Sequence, residues 1–227
     1  MWTPNTFKLF LSHLSDSRDV AHQLKTHLAN YQISCFVAHD DIEPTREWEN
    51  EIEEALRSMD GLAALLTPGF HQSKWTDQEV GFAMGSGRLV LPLRYGANPH
   101  GFIGKYQGYT IKECMTYPTI ASEICKVLSR HPTTSVKMTD ALINKLEDAW
   151  SWDSAKSAMT LLEEASLITE DALQRIEATT ESNGQVADAW GLPDRIKVLV
   201  QRHRKIGDAE QTATRQSLPV ACFDDIR

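Results

Sequence analysis

The first part of the chain, up to residue 130, alternates between short apolar runs and stretches in which apolar residues recur every three or four positions. The apolar runs predict strands at 7–12, 33–38, 61–66 and 88–93, with a short fifth strand near Tyr109. The stretches between them predict helices at 17–30, at 46–59, from Ser73 onward and at 119–130. This alternation is typical of a parallel sheet covered on both faces, so we expect an α/β fold. Pro92 predicts an irregularity near the end of the fourth strand.

The second part of the chain shows a helical pattern only. Helices are predicted at 139–150, 154–164, 169–181, 185–190 and 194–205. The stretch His-Pro-Thr-Thr-Ser at 131–135 is typical of a boundary between the two parts. We therefore expect an α/β domain at 1–132, an all-helical domain at 136–207 and a flexible tail at 208–227.

Composition limits the classes of function. The 227 residues are 41% hydrophobic, enough for a sizeable core, and the net charge of −8 opposes a mainly electrostatic grip on nucleic acid or anionic lipid. We expect no signal peptide and no membrane partner, since no apolar run approaches the ~20 residues needed to span a bilayer. The four cysteines are scattered and no Cys/His metal motif occurs, which favours reduced thiols, a cytoplasmic protein and no metal site.

Candidate chemistry lies where the predicted strands end. Ligands bind parallel sheets outside the carboxyl ends of the strands, where the segments 12–16, 39–45 and 70–75 converge. The last of these leads into Ser-Lys-Trp-Thr-Asp-Gln-Glu, in which Trp75 and Glu79 are four residues apart and share a helix face. A position near the helix start would favour the ionised form of Glu79. The same residues allow a structural alternative, because Thr76 and Glu79 also fit a capping box.

Four segments, taken in this order, resemble a bacterial Toll/interleukin-1 receptor (TIR) domain. They are FKLFLSHLSDS, ISCFVAHDDIEPTREWENEIEEAL, LLTPGFHQSKWTDQEVG and VLPLRYG, and the resemblance they carry extends over the first part of the chain, up to residue 130, which is a little over half of it. The S-x-W-x-x-x-E spacing of Ser73, Trp75 and Glu79 is similar to the motif of TIR domains that cleave NAD⁺. The resemblance implies a flavodoxin-like, five-stranded parallel sheet. It does not extend to the helical remainder.

The resemblance also implies an activity. Enzymatic TIR domains cut the nicotinamide–ribose bond of NAD⁺ and release ADP-ribose or a cyclic isomer, with NAD⁺ as substrate and no further cofactor. By this resemblance we expect Glu79 to be the catalytic residue that stabilises positive charge on the ribose. The residues expected to bind substrate are Trp75, Phe10, Ser12, His13, Asp40 and Asp41.

The implied partners are other copies of the chain and, in bacterial anti-phage defence, an effector that binds a cyclic nucleotide product. The loop at 40–45 would complete the site of a neighbouring protomer. Three alternatives stay open: a non-catalytic adaptor that acts by self-association, a DNA-binding regulator, and a sensor in the C-terminal helices. The DNA-binding alternative depends on the spacing of Ala187 and Gly191, as in helix-turn-helix units, and on a basic end. That end carries Arg195, Lys197, Arg202, Arg204 and Lys205.

Overall fold

Five parallel strands form one sheet. The computed structural model of the chain describes residues 1–37 and 48–216, apart from the side chains of Trp48 and of 207–216. The strands are β1 (Phe7–Ser12), β2 (Ile33–Phe36), β3 (Gly61–Leu66), β4 (Leu89–Arg94) and β5 (Tyr109–Thr110). Their order across the sheet is β2-β1-β3-β4-β5, and every neighbouring pair is parallel. The predicted α/β fold is confirmed, and the chain changes direction across the sheet between β1 and β3, which is its topological switch point.

In the part of the chain that the structure describes, four α-helices cover the two faces of the sheet. They are α1 (Arg18–Leu28), α2 (Trp48–Ser58), α3 (Lys74–Gly85) and α4 (Tyr117–Arg130). Because side chains alternate along a strand, β1 sends Leu9 and Leu11 into a core shared with α1 and α4. Phe10 points the other way, into a second core shared with α2 and α3. Burial on both faces explains why the strands are continuously apolar in sequence.

Pro92 does not disturb β4. The strand pairs with β3 without interruption from Leu89 to Arg94, so the predicted irregularity is wrong. Pro92 is tolerated because β5 pairs only with Leu93 and Arg94, and its missing N–H therefore interrupts no long ladder. Gly108 leads into β5 with φ +67°, and a Cβ there would lie 2.9 Å from the Pro92 carbonyl oxygen. Glycine is required at this close approach.

Between residues 131 and 216, five further α-helices follow the sheet. They are α5 (Ser135–Glu147), α6 (Trp152–Leu162), α7 (Glu170–Ser182), α8 (Gly184–Ala187) and α9 (Leu192–Gln216). Each of the five corresponds to a predicted helix with shifted ends. The largest difference is at α9, whose backbone stays helical to Gln216 and so includes part of the stretch predicted as a tail.

The helical region packs on the amino-terminal side of the sheet. A single buried apolar cluster runs from the strands through α4 and α5 to α9. Asn144 of α5 donates from Nδ2 to the Asn5 carbonyl just before β1, at 3.2 Å. Lys145 hydrogen-bonds the Asn30 carbonyl, ahead of β2. These contacts hold α5 beside the starts of β1 and β2, which is the edge opposite to Ser12.

Candidate active site

The start of α3 is fixed by Ser73. Its backbone is extended, with φ −83° and ψ 122°, and its hydroxyl accepts the Thr76 N–H at 3.4 Å, as an N-cap does. Thr76 lies inside the first turn, and its own hydroxyl donates to the Phe70 carbonyl at 2.8 Å. The capping-box alternative is therefore wrong, because Thr76 is not the N-cap and Glu79 is not in the position from which it could reach back to one.

Glu79 turns towards the sheet and meets the end of β1. Ser12, the last residue of that strand, donates from Oγ to Glu79 Oε2 at 2.5 Å. Both side chains are nearly inaccessible, with 1% of Ser12 and 5% of Glu79 exposed. The contact joins residues 67 positions apart at the carboxyl edge of the sheet, beside the switch point between β1 and β3. Ligands of parallel α/β sheets bind outside this edge.

Burial changes the acidity of Glu79. Loss of solvent raises the pKa of its carboxyl from 4.5 to about 7, and the hydrogen bond from Ser12 partly opposes this rise. The expectation that the helix dipole would favour the ionised form is corrected: Glu79 is the sixth residue of α3, beyond the turn where the dipole acts strongly.

Trp75 lies one turn before Glu79 on the same helix. It is 41% exposed, unlike most of the large apolar side chains of the sheet region. Residues four apart on a helix are neighbours, so the indole and the carboxyl lie on one face of α3. The arrangement sets an accessible aromatic surface next to a buried acid.

Comparison with known proteins identifies the α/β part of the chain. Residues 9–113 match the family model described as the TIR domain. The chain carries a TIR domain. A solved structure with a similar fold is the TIR domain of the Toll-related receptor TRR-2 from Hydra magnipapillata, with 17% sequence identity and a TM-score of 0.41. The similarity covers 46% of this chain and 84% of that one. No curated protein matches the chain.

The structure describes two of the other residues expected to bind substrate, His13 and Phe10. His13 follows Ser12 directly; it is 9% exposed, and its Nδ1 lies 3.0 Å from the Leu11 carbonyl oxygen. Phe10 has no exposed surface and packs at 5.3 Å between ring centroids against Phe36. Phe10 lies on the same face of β1 as Ser12, two residues before it, and its expected ligand contact stays a prediction. Asp40 and Asp41 lie outside the described residues.

Two polar contacts near this edge were not predicted. Ser17 donates to the Thr67 hydroxyl at 3.2 Å, joining the turn after β1 to the turn after β3. His100 Nε2 lies 3.2 Å from Asp77 Oδ1, which joins the loop after β4 to the first turns of α3. Thr67 could have been predicted at this edge of the sheet, because it is a polar residue immediately after β3.

Two of the basic residues near the C-terminus, Arg195 and Arg204, pair with carboxylates of neighbouring helices. Arg195 donates two hydrogen bonds to Glu163, at 2.9 and 2.8 Å, and so joins α9 to α6. Arg204 reaches Glu170 and Glu177 of α7, at 2.8 and 2.7 Å. These guanidinium groups already have carboxylate partners, which weighs against a role in contacting DNA phosphates.

Residues 1–37 and 48–216 contain neither a metal-binding cluster nor a membrane-spanning helix. No group of three or more His, Cys, Asp or Glu side chains there is arranged to hold a metal ion. None of the helices described is both long and apolar enough to span a bilayer.

Proposed function

We propose that the TIR domain cleaves the nicotinamide–ribose bond of NAD⁺, with Glu79 as the catalytic residue, and releases ADP-ribose or a cyclic isomer. The observation that carries this proposal is the Ser12–Glu79 contact at the carboxyl edge of the sheet. A glutamate that only capped or solvated its helix would face the α3 backbone or water. Glu79 instead lies buried against the sheet, where ligands of parallel sheets bind.

The chemistry needs a negative charge beside the sugar. As the nicotinamide leaves, positive charge develops on the ribose in an oxocarbenium-like state. A fixed carboxylate in a water-poor site stabilises that charge more strongly than one in bulk solvent. Nicotinamide leaves as a neutral molecule without taking up a proton, so one carboxylate can serve the step.

The raised pKa of Glu79 is compatible with this role. Near neutral pH the empty site holds a mixture of carboxylic acid and carboxylate. The nicotinamide ring of NAD⁺ is cationic, and a positive charge nearby lowers the pKa of a carboxyl group. Binding of the substrate would therefore favour the anion at the moment when it is needed.

Trp75 has the properties of a stacking surface. Its indole is partly exposed on the same helix face as Glu79, where it can pack against the adenine or the nicotinamide ring. Alignment of the leaving group raises the rate because the reacting bond is held in position. If adenine is held folded over the ribose, the product is cyclic.

Self-association and a signalling role are part of the proposal. The helical region contacts the edge of the sheet opposite to Glu79, through Asn144 and Lys145 of α5. Among the described residues, these contacts lie away from the edge of the sheet that carries Glu79, and we propose that a neighbouring protomer completes the site there. By resemblance to bacterial TIR domains, the setting would be anti-phage defence, in which NAD⁺ loss or a cyclic product signals infection.

The test is nicotinamide release from NAD⁺ by the wild-type chain and by Glu79→Gln, at several protein concentrations. The control is Glu123→Gln, which removes a carboxylate from α4 on the other face of the sheet, where it pairs with Lys126 at 2.8 Å. We expect release by the wild type and the control, and a loss of about a hundredfold or more in Glu79→Gln. Equal release by all three would exclude the role of Glu79. Absence of release from the wild type at every concentration would favour the adaptor.

A further inference from the structure

Ser12 is held rigidly at the end of β1. Its backbone lies in register with Ala64 of β3, and its side chain is 1% exposed. A side chain on a paired strand has far less freedom than one in a loop, so the direction of its hydroxyl is well defined. That hydroxyl donates to one atom only, Oε2 of Glu79, at 2.5 Å.

The contact leaves half of the carboxylate available. A carboxylate has two oxygens and about four lone-pair positions, of which Ser12 uses one. In the described part of the chain, no other group hydrogen-bonds Glu79. Oε1 is therefore the atom that a ribose hydroxyl or the developing sugar cation can approach.

We infer that Ser12 is a positioning residue, which fixes Oε2 of Glu79 against the sheet so that Oε1 faces the ribose. This inference rests on the proposed function. It also changes the role first expected for Ser12: with 1% of its surface exposed, it acts on Glu79 and not on the substrate. A second consequence is electrostatic, because a hydroxyl that donates to a carboxylate favours the charged form and so opposes the effect of burial.

The experiment compares Ser12→Ala with Ser17→Ala. Ser17 is a matched control, since it is also a buried serine near the same edge, but its hydroxyl bonds Thr67 instead of Glu79. Glutamate labelled with ¹³C at the carboxyl carbon gives an NMR titration of each variant, and the signal missing from Glu79→Gln identifies Glu79. We expect the Glu79 midpoint to rise by about one pH unit in Ser12→Ala and to stay at the wild-type value in Ser17→Ala.

Kinetic measurements then separate the effect of Ser12 on the orientation of the Glu79 carboxylate from its effect on the ionisation of that carboxylate. The acid limb of kcat/KM for nicotinamide release should move with the NMR midpoint, because kcat/KM reports the free enzyme. At a pH well above the Glu79 midpoints of the wild type and of Ser12→Ala, Glu79 is ionised in both proteins. We expect kcat of Ser12→Ala to remain about tenfold lower there, with KM little changed, because the carboxylate is no longer held in its orientation.

Three results are informative. An unchanged Glu79 midpoint in Ser12→Ala overturns the inference, as does a full recovery of kcat at high pH. If the midpoint moves but even the wild type releases no nicotinamide, NAD⁺ cleavage is refuted, while the control of Glu79 by Ser12 is retained.

Discussion

Replacing Glu79 by glutamine should stabilise the chain at high pH while it abolishes the proposed reaction. Glutamine has the same shape, accepts the Ser12 hydrogen bond and carries no charge. In the wild type, the pKa of the carboxyl is 4.5 in an exposed reference state and about 7 in the folded chain. Between these values the folded chain holds a proton that the unfolded chain has lost, so the free energy of unfolding falls as pH rises.

The size of the effect follows from the same two values. Each pH unit in this interval costs roughly 1.4 kcal/mol, so ionisation of buried Glu79 costs about 3 kcal/mol once the pH is well above 7. Below about pH 4.5 the group is protonated in both states and contributes no pH dependence. Most of the change lies between pH 5 and 8, where we expect the advantage of Glu79→Gln to grow by about 2 to 3 kcal/mol.

The assay is urea unfolding at pH 5, 6, 7 and 8, followed by tryptophan fluorescence, for the wild type, Glu79→Gln and Glu123→Gln. Other ionisable groups are common to the variants, so their effects cancel in the differences. Glu123→Gln is the control for the loss of one carboxylate, since it breaks a side-chain pair with Lys126 within α4. If the difference in the free energy of unfolding between Glu79→Gln and the wild type does not change with pH, burial does not raise the pKa of the Glu79 carboxyl, and this explanation is refuted.

Two further predictions concern other side chains, Trp75 beside Glu79 and Arg175 in the helical region. Trp75→Ala should lower NAD⁺ cleavage by about tenfold or more and change the ratio of cyclic to linear product, with little change in the unfolding midpoint, because Trp75 is 41% exposed. Trp152→Ala, at the exposed start of α6, is the control and should change neither the rate of NAD⁺ cleavage nor the ratio of cyclic to linear product. A Trp75→Ala variant that loses stability but keeps its activity would show that the indole serves packing. Arg175→Ala should cost about 1 kcal/mol in the free energy of unfolding, since Arg175 binds Glu147 through two hydrogen bonds and Asn144 through a third. Arg57→Ala breaks only an exposed pair with Glu53 within α2 and should cost a few tenths of a kcal/mol, so equal costs would contradict this distinction.

The strands show how far sequence patterns reach. β1 and β3 coincide with their predicted ranges, because each is a six-residue apolar run with polar or turn residues on both sides. β5 has only two residues, too few to show the alternation of apolar and polar residues that predicts a strand. It is defined by its pairing with Leu93 and Arg94 of β4. Pro92 predicted an irregularity that does not occur, because the effect of a proline depends on which neighbour its missing N–H would have faced.

The site shows where sequence patterns stop. The spacing of Trp75 and Glu79 was sufficient to put both on one helix face, but not to say which of Ser73 and Thr76 begins the helix, as both residue types act as caps. Ser73 begins the helix, because its hydroxyl accepts the Thr76 N–H, while the Thr76 hydroxyl donates to the Phe70 carbonyl. The acidity of Glu79 depends on burial by residues distant in sequence, and its partner Ser12 is 67 positions away. Neither could be predicted from local pattern.

The most direct test of the central claim is the pH dependence of kcat/KM for nicotinamide release from NAD⁺ by the wild-type chain. If the anion of Glu79 stabilises the ribose as nicotinamide leaves, kcat/KM should rise with pH through a midpoint at about 7 and reach a plateau near pH 8 to 9. Glu79→Gln should be slow at every pH. A wild-type rate that is independent of pH between 5 and 9, or that falls as Glu79 loses its proton, would contradict the claim.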